Sequence, residues 1–348
     1  MAFMKFATAG VPVYAGRLIL NNVLNNSQCH NKVFTKLFML GNRCDALRRN
    51  HSSSYLGDSL CTDGSIQTVK LAFDRHSPPR KPETYKSPLI FLHGLFGQKT
   101  NNRTISKKLA AILERDVFCL DMRNFGKSPH IERLDYPSLA ADVEAFIESH
   151  NFEKKPIIIG HSMGAKTAMA IALRRPDLPK MIVSVDNVPV DLSVYSVSSF
   201  LKYIKHMRIA LEKYKFTNMK DVNAELAKVE PSEMVRQFLM TNLDRGKADD
   251  VIKSKIPLAI IDKAITGGAI SGWPFDPNIC RWTRGPVLVI RGTESNYCPD
   301  ETLPDIGQYF PRFEVRDIKA SHWLISQTPD EFMDVVIDFI EKHEDGEE

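Results

Sequence analysis

Hydrophobic positions along the chain form two kinds of run that follow each other in turn. Short, continuous apolar runs such as PLIFL (88–92), VFCL (117–120) and PIIIG (156–160) are typical of strands buried on both faces. Longer segments with an apolar residue every three or four positions, such as RTISKKLAAILER (103–115), are typical of amphipathic helices. This alternation predicts an α/β fold with a mostly parallel sheet and helices on both of its faces.

The alternation is interrupted once. A first strand is predicted in IQTVKLAFDR (66–75), and strand and helix then alternate as far as KMIVSVD (180–186). Between 188 and 285 only helical periodicity is visible, after which the strands PVLVIRG and FEVRDI and a last helix, PDEFMDVVIDFIEKHE, complete the pattern. We therefore predict one core made of 55–187 and 286–348. The interruption, 188–285, is predicted to be a helical lid over the carboxyl ends of the strands.

The first 54 residues differ from the rest in charge. They carry seven Lys or Arg residues and one acid, and they end in a Ser-rich segment. This composition is typical of a mitochondrial transit peptide, and a disordered basic tail is the alternative. We therefore predict a mitochondrial location and leave 1–54 out of the fold.

Composition excludes several classes of function. Beyond residue 54 the chain has 39 basic and 41 acidic residues, so a nucleic-acid partner is not expected. No apolar run approaches the roughly eighteen residues of a membrane-spanning helix. Six scattered cysteines form no CxxC pair, which argues against a disulfide framework and a zinc site. No metal or bound cofactor is predicted.

The segment GHSMGAK (160–166) is the first candidate for chemistry. It lies between the apolar run PIIIG and a predicted helix, which is the context of a nucleophile elbow. Gly160 and Gly164 would allow strand and helix to approach closely around Ser162, whose hydroxyl would then be exposed above the sheet. The alternative is that Ser162 only caps the helix in a tight turn.

An acyl-transfer site also needs donors for an oxyanion. The backbone N–H of Met163, directly after the serine, would supply one. The loop HGLFGQ (93–98) follows an earlier strand, and its glycines would let the N–H of Leu95 supply the second. His93 in this loop is interpreted as a structural histidine that holds the loop and not as the base.

His322 is the predicted general base among ten histidines. It lies in the segment KASHW (319–323), between the last strand and the last helix, where the fold brings a loop back over the serine. The other histidines lie in the leader, in turns, at helix ends, beside the serine, in the oxyanion loop or in the predicted lid.

The acid has three candidates. In this fold it usually follows the penultimate strand, but that position holds Ser295, with Glu294 beside it and Asp300 farther along. Asp186, at the end of the strand after the serine's helix, is the third candidate. We favour Asp186 because geometry defines a triad, and a buried carboxylate at that strand end can still orient His322. Glu294 and Asp300 remain alternatives.

The motifs HGLFG, GHSMGAK, SVDNVPVDL, RGTESNY and SHW occur in this order from about residue 65 to 343. With them the chain resembles the α/β-hydrolase superfamily, and more closely the mitochondrial ethanol acetyltransferases of yeasts and their esterase relatives. The family's triad falls on Ser162, Asp186 and His322, so the resemblance supports Asp186. One departure from the family pattern is Tyr297-Cys298 in the loop after the penultimate strand, and we expect it not to touch the triad.

The resemblance implies an alcohol O-acetyltransferase that uses acetyl-CoA as acyl donor and ethanol as acceptor, with ester and thioester hydrolysis as side activities. A plain ester or thioester hydrolase and a non-catalytic binding protein on the same fold are the alternatives. The balance between transfer and hydrolysis would depend on how much water enters the pocket and on whether apolar residues of the predicted lid, such as Phe200, Phe238 and Trp273, favour an alkyl chain over water. One predicted lid helix is basic, with Lys202, Lys205, Arg208, Lys213 and Lys215. These residues are interpreted as a solvated face of the helix, and contact with the phosphates of coenzyme A is the alternative.

Overall fold

A seven-stranded sheet lies at the centre of the computed structural model, which describes residues 66–80, 82–192, 197–247 and 249–345. The predicted leader, 1–54, lies outside the described residues. The described strands are β1 (Phe73–His76), β2 (Leu89–Leu92), β3 (Val117–Leu120), β4 (Ile157–His161), β5 (Met181–Val185), β6 (Leu243–Asp244), β7 (Lys253–Ser254), β8 (Val287–Gly292) and β9 (Phe313–Ile318).

The sheet is almost entirely parallel. Its strand order is β1-β3-β2-β4-β5-β8-β9, and only β1 runs antiparallel to its neighbour. The register pairs Gly160 of β4 with Leu92 of β2 on one side and with Ser184 of β5 on the other. The carboxyl ends of β2, β4 and β5 therefore lie side by side, and the loops that follow them meet at one edge.

Helices cover both faces, as predicted. They are α1 (Arg103–Leu113), α2 (Tyr136–His150), α3 (Met163–Arg174), α4 (Val197–Arg208), α5 (Met219–Leu226), α6 (Glu233–Met240), α7 (Leu258–Thr266), α8 (Leu303–Tyr309), α9 (Leu324–Gln327) and α10 (Pro329–Asp345). Alternate residues of one strand enter different cores. Leu89 and Phe91 of β2 pack with α1 and α10, whereas Ile90 and Leu92 pack with α2 and α3. The predicted fold class is confirmed.

The observed elements differ from those predicted from the hydrophobic pattern in three places. The segment 188–285 is not purely helical, because β6 and β7 form a small antiparallel ladder within it. Two-residue strands are too short to produce an alternating pattern. The first strand covers Phe73–His76, so residues 66–72 of the predicted region 66–75 lie outside it. An additional helix, α8, joins β8 to β9, and its proline and glycine weaken its helical signal.

The segment 188–285, called the insertion below, carries α4 to α7. Phe200 from α4 and Phe238 from α6 line a cavity together with Ser162, which follows β4. The insertion therefore covers the carboxyl edge of the sheet at this point. Within the described ranges, no helix combines the length and apolar character needed to cross a membrane.

Candidate active site

Ser162 occupies a strained turn between β4 and α3. Its φ and ψ are 54° and −115°, a conformation that is costly for a residue with a side chain. The turn is held because the Ser162 N–H donates to the Val185 carbonyl at 2.9 Å. Ser162 stands at the N-cap position of α3, but its hydroxyl makes no capping bond. The side chain is thus left for another partner.

Glycines allow the close packing that this turn requires. A Cβ atom at Gly160 would lie 2.1 Å from the Gly164 carbonyl oxygen, and one at Gly164 would lie 2.3 Å from the Leu92 carbonyl oxygen. Any side chain at either position would separate α3 from β4 or from β2. The predicted role of the two glycines is confirmed.

The Ser162 hydroxyl, His322 and Asp186 form one hydrogen-bonded chain. The distance from Ser162 Oγ to His322 Nε2 is 2.9 Å, and that from His322 Nδ1 to Asp186 Oδ2 is 2.6 Å. All three side chains are buried, and Asp186 is fully so. The loops after β4, β5 and β9 carry them to one place, although 160 residues separate Ser162 from His322 along the chain. This is the geometry that nucleophilic acyl transfer requires.

Asp186 is held as a carboxylate by donors on three sides. Besides His322, the Gly292 N–H donates to Oδ1 at 3.0 Å and the Ser295 hydroxyl donates to Oδ2 at 2.5 Å. Burial opposes ionisation of Asp186, but the bonds from His322, Ser295 and Gly292 outweigh it and hold its pKa below the ordinary value. A carboxylate in this state can orient the imidazole and stabilise its protonated form.

The two alternative acids lie elsewhere. Glu294 is exposed. Asp300 is also exposed and pairs with Arg291 at 2.5 Å. Neither carboxylate contacts the ring of His322, whereas Ser295, at the customary acid position, bonds to Asp186. From the sequence, Ser295 was interpreted only as the absence of an acid at the customary position. In the structure its hydroxyl donates a hydrogen bond to the acid, Asp186.

The oxyanion loop is the segment 93–97 after β2. Within the described part of the chain, the N–H groups of Leu95 and Met163 donate to no acceptor, and helix geometry leaves the Met163 N–H without an intrahelical partner. Gly94 lies against the nucleophile, because a Cβ there would come within 3.1 Å of the Ser162 Cβ. His93 Nδ1 bonds to the Gly94 carbonyl at 2.8 Å, and Nε2 accepts from the Met122 N–H at 3.0 Å. His93 therefore braces this loop.

Two rings enclose His322. Tyr297 stacks on it with a centroid distance of 3.9 Å and an angle of 20° between the rings, so the expectation that Tyr297 does not touch the triad is wrong. His161 lies on another side, with its Nε2 2.8 Å from the His322 carbonyl oxygen. Burial, followed by the proximity of His322, lowers the pKa of His161 to about 4. His161 is consequently neutral near pH 7 and donates to that carbonyl.

Two cavities meet at Ser162. The outer one has a volume of about 110 Å³ and includes His322, Phe200, Phe238 and Trp323 in its lining. The inner one, of about 40 Å³, is lined largely by apolar residues: Leu95, Tyr136, Met163, Leu192, Phe200, Ile265, Ile270 and Tyr297. Trp273, named with Phe200 and Phe238 as an apolar lid residue, is absent from the described lining of both cavities, and its ring packs on that of Tyr136 with 5.8 Å between centroids.

Comparisons with known proteins identify the family of the chain. A family model described as alpha/beta hydrolase fold matches residues 87–329. The chain belongs to the α/β-hydrolase family. It is 41% identical over 327 residues to a Saccharomyces cerevisiae protein named probable alcohol acetyltransferase, covering 87% of this chain and 95% of that protein. It is 30% identical over 299 residues to ethanol acetyltransferase 1 of Cyberlindnera fabianii, covering 78% and 87%.

The family membership extends to solved structures. A marine microorganism esterase is 32% identical in sequence and superposes with a TM-score of 0.68, covering 78% of this chain and 100% of that chain. The hydrolase fold and the acetyltransferase names of the relatives together support an enzyme. Within the described ranges, no group of three or more His, Cys, Asp or Glu side chains is placed to hold a metal ion.

Lys166 is a feature of this hydrolase that sequence reasoning missed. It lies one helical turn after Ser162 and is buried, and its Nζ donates to the carbonyls of Val190, Ser271 and Gly272 at 2.7, 3.1 and 3.2 Å. Burial lowers the pKa of Lys166 to about 7, whereas the three carbonyl acceptors favour the ammonium form. Lys166 thereby connects the helix that carries the nucleophile to two segments of the insertion, one near its start and one at 271–272.

Proposed function

We propose that the protein is an alcohol O-acetyltransferase that forms ethyl acetate from acetyl-CoA and ethanol through an acyl-Ser162 intermediate. The observation that carries the proposal is the hydrogen-bonded chain from Ser162 Oγ through His322 to Asp186. The names of the yeast relatives, one of them 41% identical, support acetyl transfer to an alcohol.

In the first half of the proposed reaction, His322 Nε2 takes the proton of Ser162 as Oγ attacks the thioester carbonyl. The negative charge that develops on the carbonyl oxygen is stabilised by the N–H groups of Leu95 and Met163. When the C–S bond breaks, the coenzyme A sulfur takes the proton from His322 and leaves as a thiol. Acetyl-Ser162 remains, and Asp186 stabilises the imidazolium in between.

In the second half, His322 takes the hydroxyl proton of ethanol while the alcohol oxygen attacks acetyl-Ser162. Collapse of the tetrahedral intermediate returns the proton to Ser162 Oγ and releases ethyl acetate. Water in place of ethanol gives acetate, so transfer and hydrolysis differ only in this nucleophile. Phe200 and Phe238 in the lining of the outer cavity support the alcohol, because apolar surface favours an ethyl group over water.

Product analysis tests this proposal. Purified protein is incubated with acetyl-CoA at several ethanol concentrations, and ethyl acetate, acetate and free coenzyme A are measured. We expect ethyl acetate to rise with ethanol while acetate falls, because both products come from one intermediate. Ser162→Ala is the matched control and should form neither product above the uncatalysed rate. Acetate alone at every ethanol concentration would exclude the transferase.

Hydrolysis of carboxylic esters or thioesters is the second candidate function. It is supported by the 32% sequence identity to the marine microorganism esterase. The same incubation distinguishes the two functions, because a hydrolase releases acetate at a rate that does not depend on ethanol.

We also propose that the protein acts in the mitochondrion, on the basis of the basic, acid-poor composition of residues 1–54. Residues 1–54 fused to a fluorescent protein should direct it to mitochondria in yeast cells. Replacement of the seven basic residues of this segment by glutamine should abolish that import, and diffuse fluorescence of the unaltered fusion would contradict the proposal.

A further inference from the structure

We propose that Asn242 of the insertion is a positioning residue for the oxyanion loop, which makes the insertion part of the apparatus that stabilises the transition state. The inference rests on the proposed acyl transfer at Ser162. Its basis is a hydrogen bond between two segments that are 146 residues apart in sequence: Asn242 Nδ2 donates to the Phe96 carbonyl at 2.8 Å.

The oxyanion loop has an unfavourable backbone conformation at Phe96. The Gly97 N–H donates to the Gly94 carbonyl at 3.0 Å and closes a four-residue turn in which Leu95 and Phe96 are the central residues. Phe96 has a φ of 61°, in the region that a turn of this kind normally fills with glycine. A phenylalanine there needs contacts from outside the turn to remain in this conformation.

The insertion supplies those contacts. The Phe96 side chain is fully buried and packs against Phe200 of α4, with 6.0 Å between ring centroids. Asn242 is also buried, and its own backbone is held because its carbonyl accepts from the Lys255 N–H at 2.8 Å. The donor to the Phe96 carbonyl is therefore presented from a fixed position.

The bond from Asn242 acts on the peptide group that determines the turn. The Phe96 carbonyl and the Gly97 N–H belong to one peptide plane. Asn242 holds the carbonyl end of this plane, and Gly94 holds the N–H end. With this plane fixed, Leu95 keeps its N–H without an acceptor in the described chain, beside both cavities that meet at Ser162. Loss of the Asn242 donor would allow the plane to rotate and would move the Leu95 N–H.

A displaced oxyanion donor affects the transition state more than the bound substrate. Asn242→Leu keeps the approximate shape of the side chain and removes the donor. With 4-nitrophenyl acetate as substrate, we expect kcat to fall by about 10- to 100-fold, because displacing a preorganised donor costs less than deleting one. We expect KM to stay within about twofold. The inhibition constant of a trifluoromethyl ketone, which forms an anionic adduct with the serine, should rise by about the same factor as kcat falls.

Two further variants complete the test. Asn242→Asp has the size of asparagine but places a second acceptor against the Phe96 carbonyl, and it should show the same loss if Asn242→Leu does not fold. Asn223→Leu is the matched control: the Asn223 side chain accepts from Arg236 Nε at 2.9 Å within the same insertion, and in the described chain it makes no hydrogen bond to the oxyanion loop. It should leave kcat and the inhibition constant unchanged.

The outcomes separate this proposal from the proposed function. Unchanged kcat and inhibition constant in folded Asn242 variants, with only the melting temperature lowered, would show a purely structural role and overturn the inference. An equal loss in Asn223→Leu would overturn it too. Because 4-nitrophenyl acetate reports serine acyl chemistry alone, a wild-type protein that cleaves it but makes no ethyl acetate contradicts the transferase and leaves the Asn242 test intact.

Discussion

Ser295 donates a hydrogen bond from its hydroxyl to Oδ2 of Asp186, the same oxygen that receives Nδ1 of His322. The position where this fold usually has its acid thus holds a donor to an acid from another strand. The loop after β5 supplies the carboxylate, and the loop after β8 supplies a hydrogen-bond donor to it. The two loops meet because β5 and β8 are neighbours in the sheet.

Ser295→Ala should lower kcat by about tenfold, because a hydrogen bond to a charged group contributes about 1.5 to 3 kcal/mol and only part of it affects catalysis. The bond lowers the pKa of Asp186, so its loss raises that pKa. In a profile of kcat against pH, the acidic limb of Ser295→Ala should therefore lie at a higher pH than that of the wild-type protein. Ser295→Thr keeps a hydroxyl and should restore both properties. An unchanged acidic limb in Ser295→Ala would contradict this account.

Asp186→Asn should reduce kcat by about 10⁴-fold, since an amide cannot stabilise the imidazolium and favours the wrong tautomer of His322. Glu294→Gln is the matched substitution at an exposed carboxylate of the β8 loop and should change kcat less than twofold. Initial rates with 4-nitrophenyl acetate give both values. If Glu294→Gln were the variant that lost turnover, the assignment of the acid would be wrong.

His161 should make the protein less stable in acid. Its pKa is about 4 in the folded state and about 6.5 when unfolded, so between these values the unfolded chain binds the extra proton. Stability attributable to His161 is therefore complete above pH 6.5 and falls as the pH decreases toward 4. At pH 4.5 we expect this contribution to the free energy of unfolding to be lower by about 2 kcal/mol than at pH 7.0. Urea unfolding at pH 7.0, 5.5 and 4.5 measures the change.

His161→Gln keeps a donor for the His322 carbonyl and does not titrate, so it should reduce this acid-dependent loss. His130 is exposed, and His130→Gln controls for the removal of a histidine. Identical pH dependence in His161→Gln and wild type would contradict the prediction.

Arg123→Met should destabilise the fold by about 3 to 5 kcal/mol, because it leaves a buried carboxylate without its partner. Arg123 Nε and Nη2 donate to the two oxygens of Asp142 at 2.6 and 2.7 Å, and both side chains are fully buried. Lys108→Met breaks an exposed pair with Asp330 at 3.1 Å and should cost less than about 1 kcal/mol. Urea unfolding measures the free energy of unfolding of both variants. Equal losses in Arg123→Met and Lys108→Met would contradict the difference expected between the buried and the exposed ion pair.

Much of the fold was predictable from local patterns. Continuous apolar strands and amphipathic helices repeat along the core, and each leaves a signal within ten or fifteen residues. The two-residue strands β6 and β7 and the helix α8 left no such signal, because they are too short or contain proline and glycine. Local patterns therefore predicted the sheet and its helices but not the small elements between them.

Consecutive residues alone were enough to predict that Ser162 lies between a strand and a helix with flanking glycines, because this arrangement is local. The sequence also presented His322 as the histidine in the right loop. The choice among Asp186, Glu294 and Asp300 needed either the family resemblance or the tertiary structure, since each follows a strand. The roles of Ser295, Tyr297 and Asn242 at the site became visible only in the folded chain. Their contacts join segments about 25 to 150 residues apart, and no local pattern encodes which strand ends and loops become neighbours in space.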